Sequence, residues 1–180
     1  MITRLTLLLL LVLLIPPTFA AGPFYDEAKD THEYVGDETV AWQEQGSELP
    51  PLPKEDDLLT FEVDEPKKRF KYSIDRTSLT AGEDGVMRFS LVIESMSGVK
   101  NSSYEGIRCS TKEYKVYAYG SKKVFKMVRK PVWRPILPRH RYYNALFHDY
   151  LCSSQSAVIA PLSPVQAVKS ILTNTLYPGS

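Results

Sequence analysis

Basic side chains dominate one stretch of this 180-residue sequence. No aspartate or glutamate occurs between Tyr114 and His148, whereas nine lysines and arginines do, and aromatic residues are interleaved with them. Such a surface can attract anions and stack on planar groups. The candidate binding residues are Lys115, Tyr117, Tyr119, Lys122, Lys123, Lys126, Arg129, Lys130, Trp133 and Arg134. The alternative is a solvated sheet face whose aromatic side chains belong to the core.

The other residues that could do chemistry lack the spacing of a catalytic or metal site. His32, His140 and His148 do not have the ligand spacing of a zinc site, and no glycine-rich phosphate loop or nucleophile elbow occurs. We therefore predict no catalytic residue, no metal and no cofactor, and a binding protein rather than an enzyme. The alternatives are a hydrolytic enzyme of unrecognised type that uses His140 or His148, and a structural subunit of an envelope assembly.

The two parts of the chain carry opposite charge. Residues 21–65 hold 14 acids and two bases, whereas residues 66–180 hold seven acids and 19 bases. We predict that an acidic, proline-rich arm, residues 21–57, is partly extended or disordered and lies over the basic stretch of its own domain. Trp42 is the expected anchor of this arm, because an indole on a polar segment usually docks. A solvated Trp42 on a free tail is the alternative.

The first 20 residues have the pattern of a secretory signal peptide. Met1 and Arg4 supply positive charge before an apolar run, and Thr18 and Ala20 are small residues at the positions that a signal peptidase reads. The apolar run is about ten residues long, which is too short to span a bilayer. A retained membrane anchor is the alternative. The first cysteine is Cys109, so no acceptor for a lipid follows the run. We expect a soluble periplasmic protein that is not lipid-anchored.

The chain has two cysteines, Cys109 and Cys152. In an exported protein an even pair favours a disulfide, which would contribute roughly 4 kcal/mol by closing the intervening loop. Such a bond would tie a central strand to the end of a helix. The alternative is a free nucleophilic thiol together with a buried one.

Apolar and polar residues alternate from residue 59 to residue 128, which is typical of half-buried strands, and residues 81–85 form a turn between two of them. After Pro138 the apolar spacing changes to steps of three and four, which predicts a helix over about 141–151. Ser163 followed by Pro164 is typical of the start of a second helix. The sequence predicts an α+β fold, with an antiparallel meander sheet of five or six strands and two C-terminal helices, in one domain over residues 58–180.

Several local strings resemble one known family. They are Trp42-Gln43-Glu44, Leu49-Pro50-Pro51-Leu52-Pro53, Gly85-Val86 at the start of a strand, Tyr104-Glu105-Gly106-Ile107-Arg108-Cys109, Glu113-Tyr114-Lys115 and Tyr150-Leu151-Cys152. By these strings the chain resembles the CNP1-like family, which is named for cryptic neisserial protein and consists of small exported proteins of Gram-negative bacteria with one uncharacterised domain. The resemblance covers residues 42–152 and implies a periplasmic location, but it supplies no reaction and no catalytic residue. Many members look like lipoproteins, a property that does not carry over to a chain without the acceptor cysteine.

We expect the partner to be a protein or an anionic component of the cell envelope. The signal peptide and the resemblance both imply a location outside the cytoplasm, which argues against nucleic acid as the ligand. Contact with a membrane would be peripheral at most, through attraction between basic side chains and anionic headgroups.

Overall fold

The computed structural model describes residues 41–46, 48–153 and 158–176. The predicted signal peptide and residues 21–40 of the predicted arm lie outside these ranges. In the part of the chain that is described, no helix is long and apolar enough to cross a membrane. The predicted division between arm and domain at residue 58 stays a prediction.

Six strands form an antiparallel meander in which each strand pairs with the next one along the chain. They are β1 (Leu58–Phe61), β2 (Phe70–Ala81), β3 (Val86–Ser95), β4 (Lys100–Arg108), β5 (Glu113–Ser121) and β6 (Val124–Met127). A two-residue strand, β7 (Arg134–Pro135), pairs with the same edge of β5 that β6 uses. This arrangement confirms the predicted meander sheet.

Glycines form two of the tight turns of the meander. Gly85, between β2 and β3, has a φ of 75°, and Gly98, between β3 and β4, has a φ of 79°. Positive φ values favour glycine because it has no Cβ to clash with the backbone. The Gly82 N–H donates to the Val86 carbonyl oxygen at 2.9 Å and closes the first turn. This turn holds Asp84 at one end of the sheet.

Two helical segments follow the sheet. The first, α1 (Arg141–Ala145), continues directly into a π-helix (Leu146–Leu151), and the second is α2 (Pro164–Leu176). The Gln166 N–H donates to Ser163 Oγ at 3.3 Å, and the Ser163 N–H donates to Gln166 Oε1 at 3.0 Å. This reciprocal pair is a capping box, which explains why α2 begins there. Both predicted helices are present, although the second half of the first one has π geometry.

The helices cover one face of the sheet, which we call the inner face. The largest fully buried apolar side chains between this face and the helices are Ile74, Met87, Phe89, Leu91, Ile107, Leu146, Leu151 and Ile171. Cys109 and Cys152 lie at disulfide distance with their Cα atoms 5.7 Å apart, in agreement with the predicted bond between the end of β4 and the helical layer. Beyond the π-helix, β8 (Cys152–Ser153) pairs with β9 (Ala160–Pro161). The inner face is thus fastened by apolar burial and by one covalent link.

Candidate binding surface

The segment that precedes the sheet crosses the face opposite the helices, which we call the outer face. We call its described part, residues 41–46 and 48–54, the strap. Leu49 and Leu52 of the strap pack against a second hydrophobic cluster of the sheet. The cluster consists of Tyr104, Tyr117, Ala118 and Phe125. The strap therefore covers apolar surface of the sheet that is separate from the core under the helices.

Trp42 holds the first part of the strap against the sheet. Its indole N–H donates to the Asp84 carbonyl oxygen at 2.8 Å, and its ring lies over the Arg108 guanidinium, 3.7 Å from ring centroid to the guanidinium carbon. The Trp133 ring meets it edge-on with 6.0 Å between centroids. A guanidinium against an indole face is a favourable contact. Trp42 is thus positioned by a hydrogen bond, a cation and a second indole, while 37% of its surface stays exposed.

The Glu44 carboxylate accepts three hydrogen bonds from the sheet side. Lys115 Nζ and Trp133 Nε1 donate to Oε2 at 2.6 and 3.2 Å, and the Tyr117 hydroxyl donates to Oε1 at 2.7 Å. Partial burial raises the pKa of the Glu44 carboxyl, but the hydrogen bonds from Lys115 and Tyr117 and the charge of Lys115 outweigh it, so its pKa lies below the usual value. Glu44 is therefore ionised near neutral pH and neutralises Lys115.

A more deeply buried ion pair lies beside Glu44. The Arg88 residue is 3% exposed, and its guanidinium donates to the Asp84 carboxylate at 3.1 and 2.6 Å and to the Gln45 carbonyl oxygen at 2.9 Å. Burial raises the pKa of Asp84, but the hydrogen bonds from Arg88 and from the Gln45 N–H outweigh it and lower that pKa. Because Arg88 also lies 3.9 Å from Glu44, the two pairs form one network. We call the residues that contact Trp42 and Glu44 from the sheet side the cradle: Asp84, Arg88, Arg108, Lys115, Tyr117 and Trp133.

The register of the sheet explains why the cradle residues meet. Arg88 of β3 is paired with Gly106 of β4, and Gly106 is paired with Lys115 of β5, so one row crosses three strands. A Cβ on Gly106 would lie 2.7 Å from the Tyr117 hydroxyl oxygen, so the missing side chain gives Tyr117 its position beside Glu44. The sequence-based reasoning missed Asp84 and Arg88. An isolated glycine inside a strand, such as Gly106, is the sequence signal of a close approach of this kind.

The structure distributes the ten predicted binding residues over two places. Lys115, Tyr117 and Trp133 belong to the cradle, beneath the strap. The other seven belong to the β5–β6 hairpin, to the chain between β6 and β7, and to the start of β7, and they are Tyr119, Lys122, Lys123, Lys126, Arg129, Lys130 and Arg134. Because β6 is the last strand of the meander, we call the six basic residues of this second group the basic edge.

All six side chains of the basic edge are exposed. Within the described ranges, no ion pair joins any of them to a carboxylate. Lys130 and Arg134 border a small cleft of about 80 Å³, which Tyr114 and Tyr119 also line. The exposed fractions of the neighbouring apolar and aromatic residues are 58% for Tyr119, 58% for Val124, 69% for Met127 and 52% for Val132. The basic edge is therefore a cationic surface with apolar side chains set into it.

A buried carboxyl group lies between the sheet and α1. Glu105 is 2% exposed, and its Oε1 accepts a hydrogen bond from the Ser103 hydroxyl at 2.5 Å. Burial raises the pKa of Glu105 to about 7, because its hydrogen bonds offset only part of the lost hydration. Tyr143 of α1 packs nearby and stacks on Tyr114 with 3.8 Å between ring centroids. The sequence-based reasoning did not identify this group, although its position two residues before the core residue Ile107 places it on the inner face.

The two described histidines are engaged in local contacts. His140 Nδ1 accepts a hydrogen bond from the Leu137 N–H at 3.2 Å, just before α1. His148 Nε2 lies 3.0 Å from Lys112 Nζ, beside an open groove that Asp149 also lines. Among the residues that the structure describes, no cluster of three or more His, Cys, Asp or Glu side chains is arranged to hold a metal ion. These contacts orient the two rings but do not form the histidine–carboxylate pair that activates a nucleophile.

Comparisons with known proteins bear on the same residues. Residues 37–170 match the sequence model of a protein family that is described as the CNP1-like family. The matched range includes the strap, the cradle and the basic edge. Cryptic neisserial protein 1 of Neisseria gonorrhoeae (strain ATCC 700825 / FA 1090) is 29% identical over 173 residues, which cover 83% of this chain and 84% of that protein. No solved structure is significantly similar to the chain.

Proposed function

We propose that the chain, which belongs to the CNP1-like family, is an exported periplasmic binding module without enzymatic activity. In this proposal it binds an anionic component of the cell envelope through its basic edge. The family is one of uncharacterised proteins, so the proposal rests on the residues of this chain. Its partner is recognised by charge, and the partner's chemical class is a polyanion that presents several phosphates or carboxylates.

The observation that carries this proposal is the exposure of the six basic side chains on one edge of the sheet. Salt screens the attraction between exposed charges only beyond about 10 Å. A polyanion that lies along this edge is therefore attracted by several of these cations at once. The cradle differs from the basic edge in this respect. Its Lys115 is already paired with Glu44 at 2.6 Å and lies under the strap. The basic edge is therefore a cationic surface that a partner can reach, whereas the cradle is not.

Two features support export. The first 20 residues have the pattern of a signal peptide, and a disulfide persists in oxidising compartments such as the periplasm. Protein recovered from the periplasm should therefore begin near Ala21 and should contain no free thiol. Mass spectrometry with and without thiol labelling measures both properties. A chain that retains Met1 in that fraction would contradict export by cleavage.

Retention on a heparin column tests the binding proposal with two variants of equal charge. The edge variant carries Lys122→Gln, Lys123→Gln and Lys126→Gln. The control variant carries Lys67→Gln, Arg69→Gln and Lys71→Gln, three exposed positions near the opposite edge of the sheet. Each variant loses three positive charges, so net charge alone would change their retention equally. We expect the edge variant to elute at clearly lower salt than the control variant. Equal elution of the two would mean that the basic edge is not the binding surface.

A further inference from the structure

Apolar side chains are exposed at the basic edge, where a purely electrostatic surface would not require them. Val124 and Met127 begin and end β6, and Val132 lies in the chain that follows. More than half of the surface of each of the three is exposed, as given above. Scattered apolar residues on a protein surface are ordinary. These three, in contrast, are interleaved along the chain with Lys122, Lys126, Arg129 and other members of the basic edge.

The geometry of β6 places these side chains on a rim rather than on a flat face. Lys126 is paired with Tyr119, and Val124 shares its side of the strand because side chains alternate along a strand. Met127 points to the other side, as does Phe125, which packs in the outer-face cluster. Apolar side chains therefore stand on both sides of the terminal strand. A rim of this kind fits a planar surface that meets the sheet edge-on.

We propose that the basic edge docks on the surface of an anionic phospholipid bilayer, with Val124, Met127 and Val132 at headgroup depth and the surrounding lysines and arginines on lipid phosphates. This inference rests on the proposed function and names its partner. Long basic side chains suit such an interface, because their alkyl stems lie against apolar groups while their charged ends reach the phosphates. A soluble polyanion would use the cations alone. A bilayer also uses the exposed apolar side chains, and for this reason the structure favours it.

Vesicle co-sedimentation tests the inference with protein purified from the periplasm of a Gram-negative host. The vesicles contain either phosphatidylcholine alone or phosphatidylcholine with about 30% phosphatidylglycerol. We expect binding only to the second kind, reduced at least tenfold in the edge variant and much less in the control variant, because each basic group near an anionic surface contributes about a fivefold factor. A third variant, Met127→Gln, leaves every charge in place. Its vesicle binding should fall by about threefold, while its retention on heparin should not change.

The outcomes distinguish the inference from the function on which it rests. Retention on heparin without binding to anionic vesicles would overturn the bilayer inference and leave the proposed function intact. Failure to bind either probe would overturn both. Equal losses of vesicle binding in the edge and control variants would overturn the inference, because binding would then follow net charge rather than this rim. An unchanged vesicle affinity of Met127→Gln would overturn the claim that the apolar side chains contact lipid.

Discussion

Replacement of Glu44 by glutamine separates the charge of the strap from its shape. Glutamine has nearly the same size, but it removes the negative charge that Lys115 and Arg88 face. The Glu44 side chain is 22% exposed and that of Lys115 is 12% exposed, so water screens their interaction only in part. Breaking a fully buried ion pair costs about 3–5 kcal/mol, whereas an exposed pair contributes about 0–1 kcal/mol. We expect Glu44→Gln to lower the free energy of unfolding by about 2 kcal/mol, between these limits.

Thermal unfolding followed by two signals measures this effect. For a domain of this size, 1 kcal/mol corresponds to a change of roughly 3–5 °C in Tm, so the Tm of Glu44→Gln should fall by roughly 6–10 °C. The chain has two tryptophans, Trp42 and Trp133, and both contact the network around Glu44. Intrinsic fluorescence therefore reports on the strap, while circular dichroism reports on the sheet. In the variant, the fluorescence change should come at a lower temperature than the loss of circular dichroism.

Glu48→Gln is the matched control, because Glu48 lies in the same strap, is exposed and undergoes the same change of charge. We expect its Tm and its emission maximum to stay within about 1 °C and 1 nm of the unmodified protein. If Glu44→Gln and Glu48→Gln unfold alike in both signals, the cradle does not hold the strap. The reasoning about charge and burial would then be refuted.

The pH dependence of the same variant has a defined sign. Because the folded protein lowers the pKa of Glu44, its contribution to stability is present above the ordinary value of 4.5 and is lost as the pH falls through the lowered pKa. The difference in unfolding free energy between the unmodified protein and Glu44→Gln should therefore shrink as the pH is lowered from 6 to 3. A difference that stays constant over this range would mean that the carboxylate charge does not act.

Three further predictions concern other parts of the molecule. Burial raises the pKa of Glu105 from 4.5 to about 7. As the pH rises from 5 to 8, the free energy of unfolding should therefore fall by up to about 3 kcal/mol. Urea titrations of Glu105→Gln should show little of this pH dependence. Reduction of the Cys109–Cys152 bond should lower the free energy of unfolding by roughly 4 kcal/mol, and an unchanged urea midpoint would contradict this estimate. Deletion of residues 21–40, which carry six acids and one base, should delay elution from heparin, and the delay should vanish in the edge variant. Unchanged elution would mean that these acids mask nothing.

The sheet and the helix starts could be predicted because their signals are local. Alternating apolar residues predicted the strands, and Ser163 before Pro164 predicted the capped start of α2. The pattern of steps of three and four predicted a helix over about 141–151, but it could not distinguish α from π geometry at Leu146–Leu151. In the π-helix, Leu146, Phe147, Tyr150 and Leu151 are buried, whereas Asp149, which the pattern of three and four places with the apolar residues, is exposed. Whether this segment forms an α-helix or a π-helix depends on how Leu146, Tyr150 and Leu151 pack in the core. The periodicity of the sequence carries no information about that packing.

The cradle could not be predicted from local patterns, because its contacts join residues that are far apart in the sequence. Glu44 reaches Lys115 across 71 positions and Trp133 across 89. The sequence showed that the two parts of the chain carry opposite charge. Which carboxylate pairs with which lysine depends instead on the cross-strand pairing of Arg88, Gly106 and Lys115 on three neighbouring strands. The division of the ten predicted binding residues likewise depends on which of them the strap covers.

Site-specific crosslinking in living cells tests most directly whether the basic edge binds the envelope. A photoreactive amino acid replaces Met127 at the basic edge. In the control protein it replaces Val165, an exposed residue of α2. The helix α2 packs against β1, at the other edge of the sheet. After irradiation, mass spectrometry identifies the attached molecules. We predict that position 127 captures phosphate- or carboxylate-bearing envelope molecules, that position 165 does not, and that the Lys122, Lys123 and Lys126 glutamine substitutions abolish the capture. Equal capture at both positions, or capture at position 127 that survives these substitutions, would contradict the account.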